Sequence, residues 1–112
     1  MHANVHLVTY GKPDYKEICM MMAPYNEDLD SWRKTDPPFT YDYFTEEFRF
    51  VPRSQVSDCL ALIDGTNKNK AVCRRKMTNG KYSEADKEFE DYCKSRQESW
   101  VGCHITVLDI HF

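Results

Sequence analysis

Apolar and polar residues alternate at both ends of the chain, in "NVHLVTY" near the start and in "HITVLDIHF" at the end. An alternation with a period of two is typical of a β-strand whose two faces differ in environment. A third stretch, over about 46–51, is rich in aromatic residues and alternates in the same way. The pattern therefore predicts two terminal strands and one strand near the middle of the chain.

Three other stretches have apolar residues at the spacing of a helix. The first, "DYKEICMMMAPY", should end before Pro24, because a proline disfavours helical geometry in the preceding residue. The second, over 54–65, has Ser54 as a candidate N-cap and Gly65 as a candidate C-cap. Its apolar stripe consists of Val56, Leu60 and Ile63. The third, "SEADKEFEDYCKSRQ", has acidic residues in its first turns and basic residues in its last, as the helix dipole favours.

Length and element order together indicate the fold class. At 112 residues the chain has the size of one domain, and we predict a single domain over 1–112. The order of strands and helices predicts an α+β fold. We expect a small, mainly antiparallel sheet that includes the N- and C-terminal strands and packs against two to three helices. The segment 66–82 fits a short helix or a strand, so its structure stays open.

The charge is unevenly distributed along the chain. The segment 66–82 has six basic residues and no acidic residue, whereas the rest has 9 Lys/Arg against 18 Asp/Glu. Such a basic segment can contact nucleic-acid phosphates or an acidic partner. The net charge of −3 favours a solvated surface or an acidic partner over nucleic acid. The residues predicted for this contact are Lys68, Lys70, Arg74, Arg75, Lys76 and Lys81.

The cysteines and the absence of targeting patterns bear on the compartment. The chain has five cysteines, and no two are spaced as in a CxxC metal or redox motif. No signal-peptide pattern is visible, and no apolar run approaches the ~20 residues of a membrane span. These observations favour buried free thiols in a reducing cytoplasm, and we expect no membrane partner.

The terminal strands hold all four histidines and are the candidate site for chemistry. Asp109 and His111 share one face of the last strand because they are two residues apart. If the terminal strands pair, His2 or His6 could approach them, and two histidines with one carboxylate can bind zinc or non-haem iron. The metal candidates are His6, Asp109 and His111. No nucleophile or nucleotide-binding motif accompanies them, so we predict no catalytic residue, metal or cofactor.

The segment 39–50 is a candidate protein-binding surface. It holds six of the thirteen Phe and Tyr residues, interleaved with carboxylates. Exposed aromatic residues are frequent hot spots of protein interfaces. The predicted partner-binding residues are Tyr41, Asp42, Tyr43, Phe44, Glu46 and Glu47. A second acidic surface, on the last predicted helix, consists of Glu84, Asp86, Glu88, Glu90 and Asp91.

Two short stretches carry a family resemblance. They are residues 23–29, "APYNEDL", and the end of the chain, "ITVLDIHF", with Thr106, Val107, Asp109 and His111. They resemble the "APYDENL"-like segment and the "TVVDCHI"-like C-terminus of a group of small, mostly uncharacterised phage and prophage proteins. The chain departs from that group in lacking a "GGRW"-like central segment and in having Ile110 where a cysteine is usual. The resemblance implies a phage gene product that works in the cytoplasm of a bacterial host.

Small phage proteins without a catalytic motif most often work by binding. We therefore predict a non-enzymatic viral inhibitor of a host nucleic-acid-handling or defence complex, of an anti-CRISPR or another anti-defence type. One alternative is a metal-dependent nuclease or hydrolase that uses the terminal-strand His and Asp residues. Another is a nucleic-acid-binding accessory protein that uses residues 68–81. The expected partner is a host or defence protein complex, and the possibility of a homo-oligomer stays open.

Overall fold

The computed structural model of the protein describes residues 1–27, 38–75, 77–78, 81–82 and 85–112. Within them the strands are β1 (His2–Thr9), β2 (Tyr43–Glu47), β3 (Ala61–Asp64), β4 (Lys70–Cys73), β5 (Met77–Thr78), β6 (Lys81–Tyr82) and β7 (His104–His111). The helices are α1 (Tyr15–Met22) and α2 (Ala85–Arg96). Short 3-10 helices form at Ala23–Tyr25, Arg53–Gln55 and Gln97–Trp100.

Five of the strands form one mixed sheet in the order β2-β7-β1-β3-β4. The pair β1–β3 is parallel, and every other neighbouring pair in this sheet is antiparallel. The strands β5 and β6 form a separate antiparallel pair. The prediction of an α+β fold with a mainly antiparallel sheet that includes both terminal strands is therefore confirmed.

Among the described elements, α1 and α2 pack against opposite faces of this sheet. Successive residues of a strand point to opposite faces. Val5 and Leu7 of β1 pack with Ile18 of α1, whereas Val8 packs with Phe89 of α2. We call these the α1 face and the α2 face. Complete burial of one side chain of this size stabilises the fold by about 1.5–3 kcal/mol. The side chains buried on the two faces together form the core.

Helix α1 begins and ends where the sequence predicts. The Asp14 side chain caps it by accepting a hydrogen bond from the Glu17 amide at 2.8 Å. Such a cap stabilises a helix by about 1 kcal/mol. The α-helix ends at Met22, and the chain continues through Pro24 as a 3-10 helix.

The predicted helix over 54–65 is wrong, because its second half is the strand β3. All four residues of β3 are buried, and a fully buried strand lacks the polar alternation that distinguishes it from a helix. Ser54 lies in a 3-10 helix and Gly65 caps no helix. A Cβ atom at Gly65 would lie 2.6 Å from the Val8 carbonyl oxygen. Gly65 therefore permits a close approach of the backbone to β1.

The predicted strand over about 46–51 is displaced, because β2 ends at Glu47. The Arg49 amide donates a hydrogen bond to the Glu47 carbonyl at 3.0 Å, which turns the chain out of the ladder. Val51 is then buried, while Phe48 and Phe50 project into solvent. The alternating aromatic residues Phe48 and Phe50 therefore do not pack in the core, although their pattern is that of a strand with one buried face.

The segment 66–82, which the sequence leaves open, contains strands in its described part. The five residues 65–69 connect β3 to β4, and Lys68 and Asn69 have φ angles of 55° and 56°. The Lys70 amide closes this turn by donating to the Asn67 carbonyl at 3.1 Å. The positive φ angles at two successive residues let this loop reverse the chain tightly between the two strands.

Two further observations concern the predicted compartment. Neither helix in the described ranges is long and apolar enough to cross a membrane. All five cysteines belong to the described residues, and none of them forms a disulfide. Burial raises the pKa of Cys93 to about 11 and raises the pKa of Cys59 as well, so both stay protonated at neutral pH.

Candidate functional site

Strand β2 lies at one edge of the sheet and, within the described ranges, pairs with β7 alone. Tyr43 in this strand is 52% exposed, and Phe48 and Phe50 just after it are 86% and 89% exposed. Three exposed rings within eight residues of sequence make this edge a candidate interaction surface. We call the strand Tyr43–Glu47 together with Phe48 and Phe50 the β2 edge.

The backbone of the β2 edge can accept another strand. An edge strand presents N–H and C=O groups that have no ladder partner on one side. The Tyr43 amide donates to the Asp42 carboxylate at 2.8 Å, and the Glu47 carbonyl accepts from Arg49. These contacts occupy the two ends of β2. Within the described part of the chain, the residues between these two ends pair with β7 on one side and with no strand on the other.

The β2 edge is also acidic. Glu46 and Glu47 belong to it, and Arg49, which lies between Phe48 and Phe50, is paired with Glu47: its Nε donates to Glu47 Oε2 at 2.9 Å. Asp42 and Glu46 form no ion pair with a lysine or arginine in the described part of the chain. A basic partner is therefore electrostatically complementary to this edge.

The structure separates the residues predicted to bind a partner. Tyr41 is 4% exposed and belongs to the core cluster under α1, so it offers a partner little surface. Phe44 is half-buried against the same core cluster. Phe48 and Phe50, for which the sequence predicts a strand, are even more exposed than Tyr43.

A cluster of histidines and carboxylates lies beside the β2 edge on the α2 face. The terminal strands place His2 opposite His111, with ring centroids 5.0 Å apart. His2 Nδ1 lies 3.1 Å from Asp109 Oδ1, and His111 Nδ1 lies 2.7 Å from Asp42 Oδ1. The Tyr43 ring stacks on His111 at 4.7 Å. We call His2, Asp42, Asp109 and His111 the histidine cluster.

The histidine cluster shifts the ionisation of one of its carboxyl groups. Desolvation raises the pKa of Asp42, but hydrogen bonds from His111 and from the Tyr43 amide outweigh it. The pKa of Asp42 therefore lies below its ordinary value, and the carboxylate is ionised at neutral pH.

The predicted metal candidates His6, Asp109 and His111 do not meet. His6 is buried, and its Nδ1 lies 2.7 Å from the Val56 carbonyl oxygen. Burial lowers the pKa of His6, so its ring is neutral at pH 7, with Nδ1–H donating to that carbonyl. Of the two histidines expected to approach Asp109 and His111, His2 does so and His6 does not. No three His, Cys, Asp or Glu side chains converge as a metal site among the described residues.

The basic segment is partly engaged in the fold. Arg74 Nη1 donates to Glu90 Oε1 at 2.7 Å, and its guanidinium lies 4.6 Å from the centre of the Phe89 ring. Lys70 Nζ lies 5.4 Å from the centre of the Tyr92 ring. Arg74 thus holds α2 against β4, and it is not a free phosphate contact. Lys76 and the side chain of Lys81 lie outside the described residues, as do Glu84 and the side chain of Asp86.

A second polar cluster lies at the β3 end of the α2 face, around the fully buried Asp64. Tyr92 donates to Asp64 Oδ2 at 2.8 Å, and Arg96 Nε donates to the same oxygen at 3.1 Å. Thr66 donates to Asp64 Oδ1 through its hydroxyl and its amide. Burial raises the pKa of Asp64, but these hydrogen bonds outweigh it and leave the pKa below its ordinary value. We call these four residues the Asp64 cluster.

Two depressions of the surface lie away from both the β2 edge and the histidine cluster. One, of ≈ 170 Å³, lies between α2 and Arg53–Gln55 and is lined by Val56, Glu90, Lys94 and Trp100 among others. The other, of ≈ 490 Å³, is a wide groove near Tyr10, Met20 and Gly65. The first is also lined by Ser54, Ser57 and Cys93, but among the described residues none of these possible nucleophiles is hydrogen-bonded to Glu90 or Lys94. Neither depression therefore holds a nucleophile paired with a base, as an active site of this kind requires.

The chain was compared with known proteins. No family model matches it, and neither a curated protein nor a solved structure gives a significant match.

Proposed function

We propose that this protein is a non-enzymatic binding protein that docks on a protein partner through the β2 edge. The observation that carries the proposal is the near-complete exposure of Phe48 and Phe50 directly after an edge strand. Aromatic anchors of this kind dominate binding energy at protein interfaces, where truncation of a hot-spot residue costs about 2 kcal/mol or more. Addition of a partner strand to β2 would supply main-chain hydrogen bonds beside these anchors.

The charge of the β2 edge indicates the class of partner. Glu46 and Glu47 lie in β2 and Asp42 directly precedes it, so a basic partner surface is favoured. Proteins that handle nucleic acid carry such surfaces, because they bind phosphates with lysine and arginine. The target in this proposal is a host nucleic-acid-handling or defence complex, and the protein is its phage-encoded inhibitor, as the family resemblance implies.

The two alternative functions have less support. A metal-dependent nuclease or hydrolase needs three or more converging ligands and an activated nucleophile, and no such group of ligands exists in the described part of the chain. A nucleic-acid-binding protein needs free cations, whereas Arg74 is held by Glu90 and Lys70 lies over Tyr92.

The test is a pull-down from bacterial lysate with the tagged protein, with and without nuclease treatment. The wild type is compared with the double variant Phe48→Ala/Phe50→Ala and with the control Tyr10→Ala. Tyr10 is also well exposed, at 75%, but it follows the C-terminal end of β1 and does not belong to the β2 edge. We expect one protein complex that resists nuclease, is retained by the control and is lost with the double variant.

Binding of the purified complex then gives the size of the effect. Loss of one hot-spot ring at about 2 kcal/mol corresponds to roughly a 30-fold weaker affinity. The double variant should keep the thermal stability of the wild type, because surface substitutions change the free energy of unfolding by about 0.5 kcal/mol or less. Equal affinity of the double variant and the wild type would refute docking through the β2 edge. Capture that vanishes with nuclease would instead favour nucleic-acid binding.

A further inference from the structure

The histidine cluster brings two solvent-accessible imidazole rings together, and the proposed docking on a protein partner gives them no role. His2 and His111 occupy paired positions on adjacent antiparallel strands and therefore lie on the same face of the sheet. Their rings are 5.0 Å apart. Their side chains are 56% and 32% exposed, so an ion in solution can reach both.

The hydrogen bonds of the cluster determine which ring nitrogens are free. An ionised carboxylate can accept hydrogen bonds but cannot donate them. Each imidazole must therefore donate its Nδ1–H, His2 to Asp109 and His111 to Asp42. In the neutral rings the lone pair is then on Nε2. Neither Nε2 atom has a hydrogen-bond partner among the described residues. Each carboxylate thus fixes the tautomer that leaves Nε2 ready to bind.

This second contact is typical of histidines that bind metals. Such histidines almost always donate the other ring N–H to a carboxylate, a carbonyl or a water, which orients the ring and makes Nε2 more basic. Here both histidines have a carboxylate in that position. The two negative charges also favour a dication over an anion such as a phosphate group, because no Lys or Arg in the described ranges neutralises Asp42 or Asp109.

We propose that His2 and His111 form an open site for one divalent transition-metal ion, such as Zn²⁺ or Ni²⁺. The ligands are the two Nε2 atoms, and water completes the coordination. Asp42 and Asp109 position the rings and do not bind the ion. Imidazole nitrogens suit zinc and nickel, whereas Mg²⁺ and Ca²⁺ require oxygen ligands. The site is therefore selective for transition metals.

The experiment is a titration of the full chain with ZnCl₂ and NiCl₂, by calorimetry and by NMR of the imidazole groups. We expect one ion per chain, with the imidazole signals of His2 and His111 shifting and those of buried His6 unchanged. His2→Ala and His111→Ala should each abolish this binding. His104→Ala is the matched control, because His104 is paired with Thr9 at the other end of the same two strands.

The two aspartates provide a finer test. Asp42→Asn and Asp109→Asn should each weaken binding by roughly 10- to 100-fold, the usual cost of losing such a supporting contact. Variants that bind the metals as tightly as the wild type would overturn the site. So would a titration in which MgCl₂ competes equally, or in which the imidazole signals do not move because the free thiols take the metal. Circular dichroism of each variant distinguishes loss of the site from loss of folding, and His2→Ala is the least disruptive because its side chain is the more exposed of the two.

Discussion

The two polar clusters of the α2 face differ in how completely their hydrogen bonds are satisfied. The Asp64 cluster is buried, and both carboxylate oxygens of Asp64 accept hydrogen bonds from Thr66, Tyr92 or Arg96. The histidine cluster lies at the other side of the same sheet face, is partly exposed and keeps two ring nitrogens without partners in the described structure. A saturated cluster stabilises the fold, whereas an unsaturated one at the surface is available to a ligand.

The sharpest way to break this comparison is to remove the Asp64 carboxylate. Asp64→Asn leaves the Arg96 guanidinium, whose side chain is 26% exposed, without its buried counter-ion. Breaking a buried ion pair by removing one partner costs about 3 kcal/mol or more. Chemical denaturation should therefore show a lower midpoint concentration, while the slope of the unfolding free energy against denaturant concentration stays unchanged.

The matched substitution in the open cluster is Asp109→Asn. The pair of Asp109 with His2 is largely exposed, and exposed pairs contribute about 0–1 kcal/mol. The free energy of unfolding should therefore fall by less than about 1 kcal/mol. Equal losses for Asp64→Asn and Asp109→Asn would show that the two clusters do not differ in structural role.

The pH dependence of stability gives the next largest effect. Burial lowers the pKa of His6 in the folded state from its ordinary value of 6.5. Below pH 6.5 the unfolded chain therefore binds a proton at His6 that the folded chain does not, so the free energy of unfolding falls as the pH falls. His6→Leu removes this contribution. Denaturation at pH 7.5 and at pH 5.5 should show a smaller loss for His6→Leu than for the wild type, and an equal loss would contradict a buried neutral His6.

The smallest expected effect concerns the hairpin that leads away from the Asp64 cluster. Lys68 has a φ angle of 55°, a conformation that glycine adopts without a steric cost. Lys68→Gly should therefore stabilise the protein by about 0.5 kcal/mol, after the entropy of the more flexible unfolded chain is subtracted. Thermal unfolding of the variant measures this. A clear destabilisation would mean that the Lys68 side chain makes a contribution of its own.

Local patterns predicted the terminal strands and both helices, because each of those segments has a face that differs from its opposite face in polarity. The strand β3 was missed, because burial of all four residues of Ala61–Asp64 removes that difference. The pairing of His2 with His111 depends on the strand register, which a single strand does not encode. The position of Asp42 beside His111 depends on how β2 adds to β7, across 69 residues of sequence.

The central claim is that the β2 edge is the docking surface. Backbone hydrogen exchange of the protein, alone and bound to the complex it captures, tests this most directly. Our account predicts new protection within Tyr43–Glu47 and at Phe48 and Phe50, with no change in the hairpin of β3 and β4 at the other side of the sheet. Protection confined to residues 66–75, with none at the β2 edge, would contradict it.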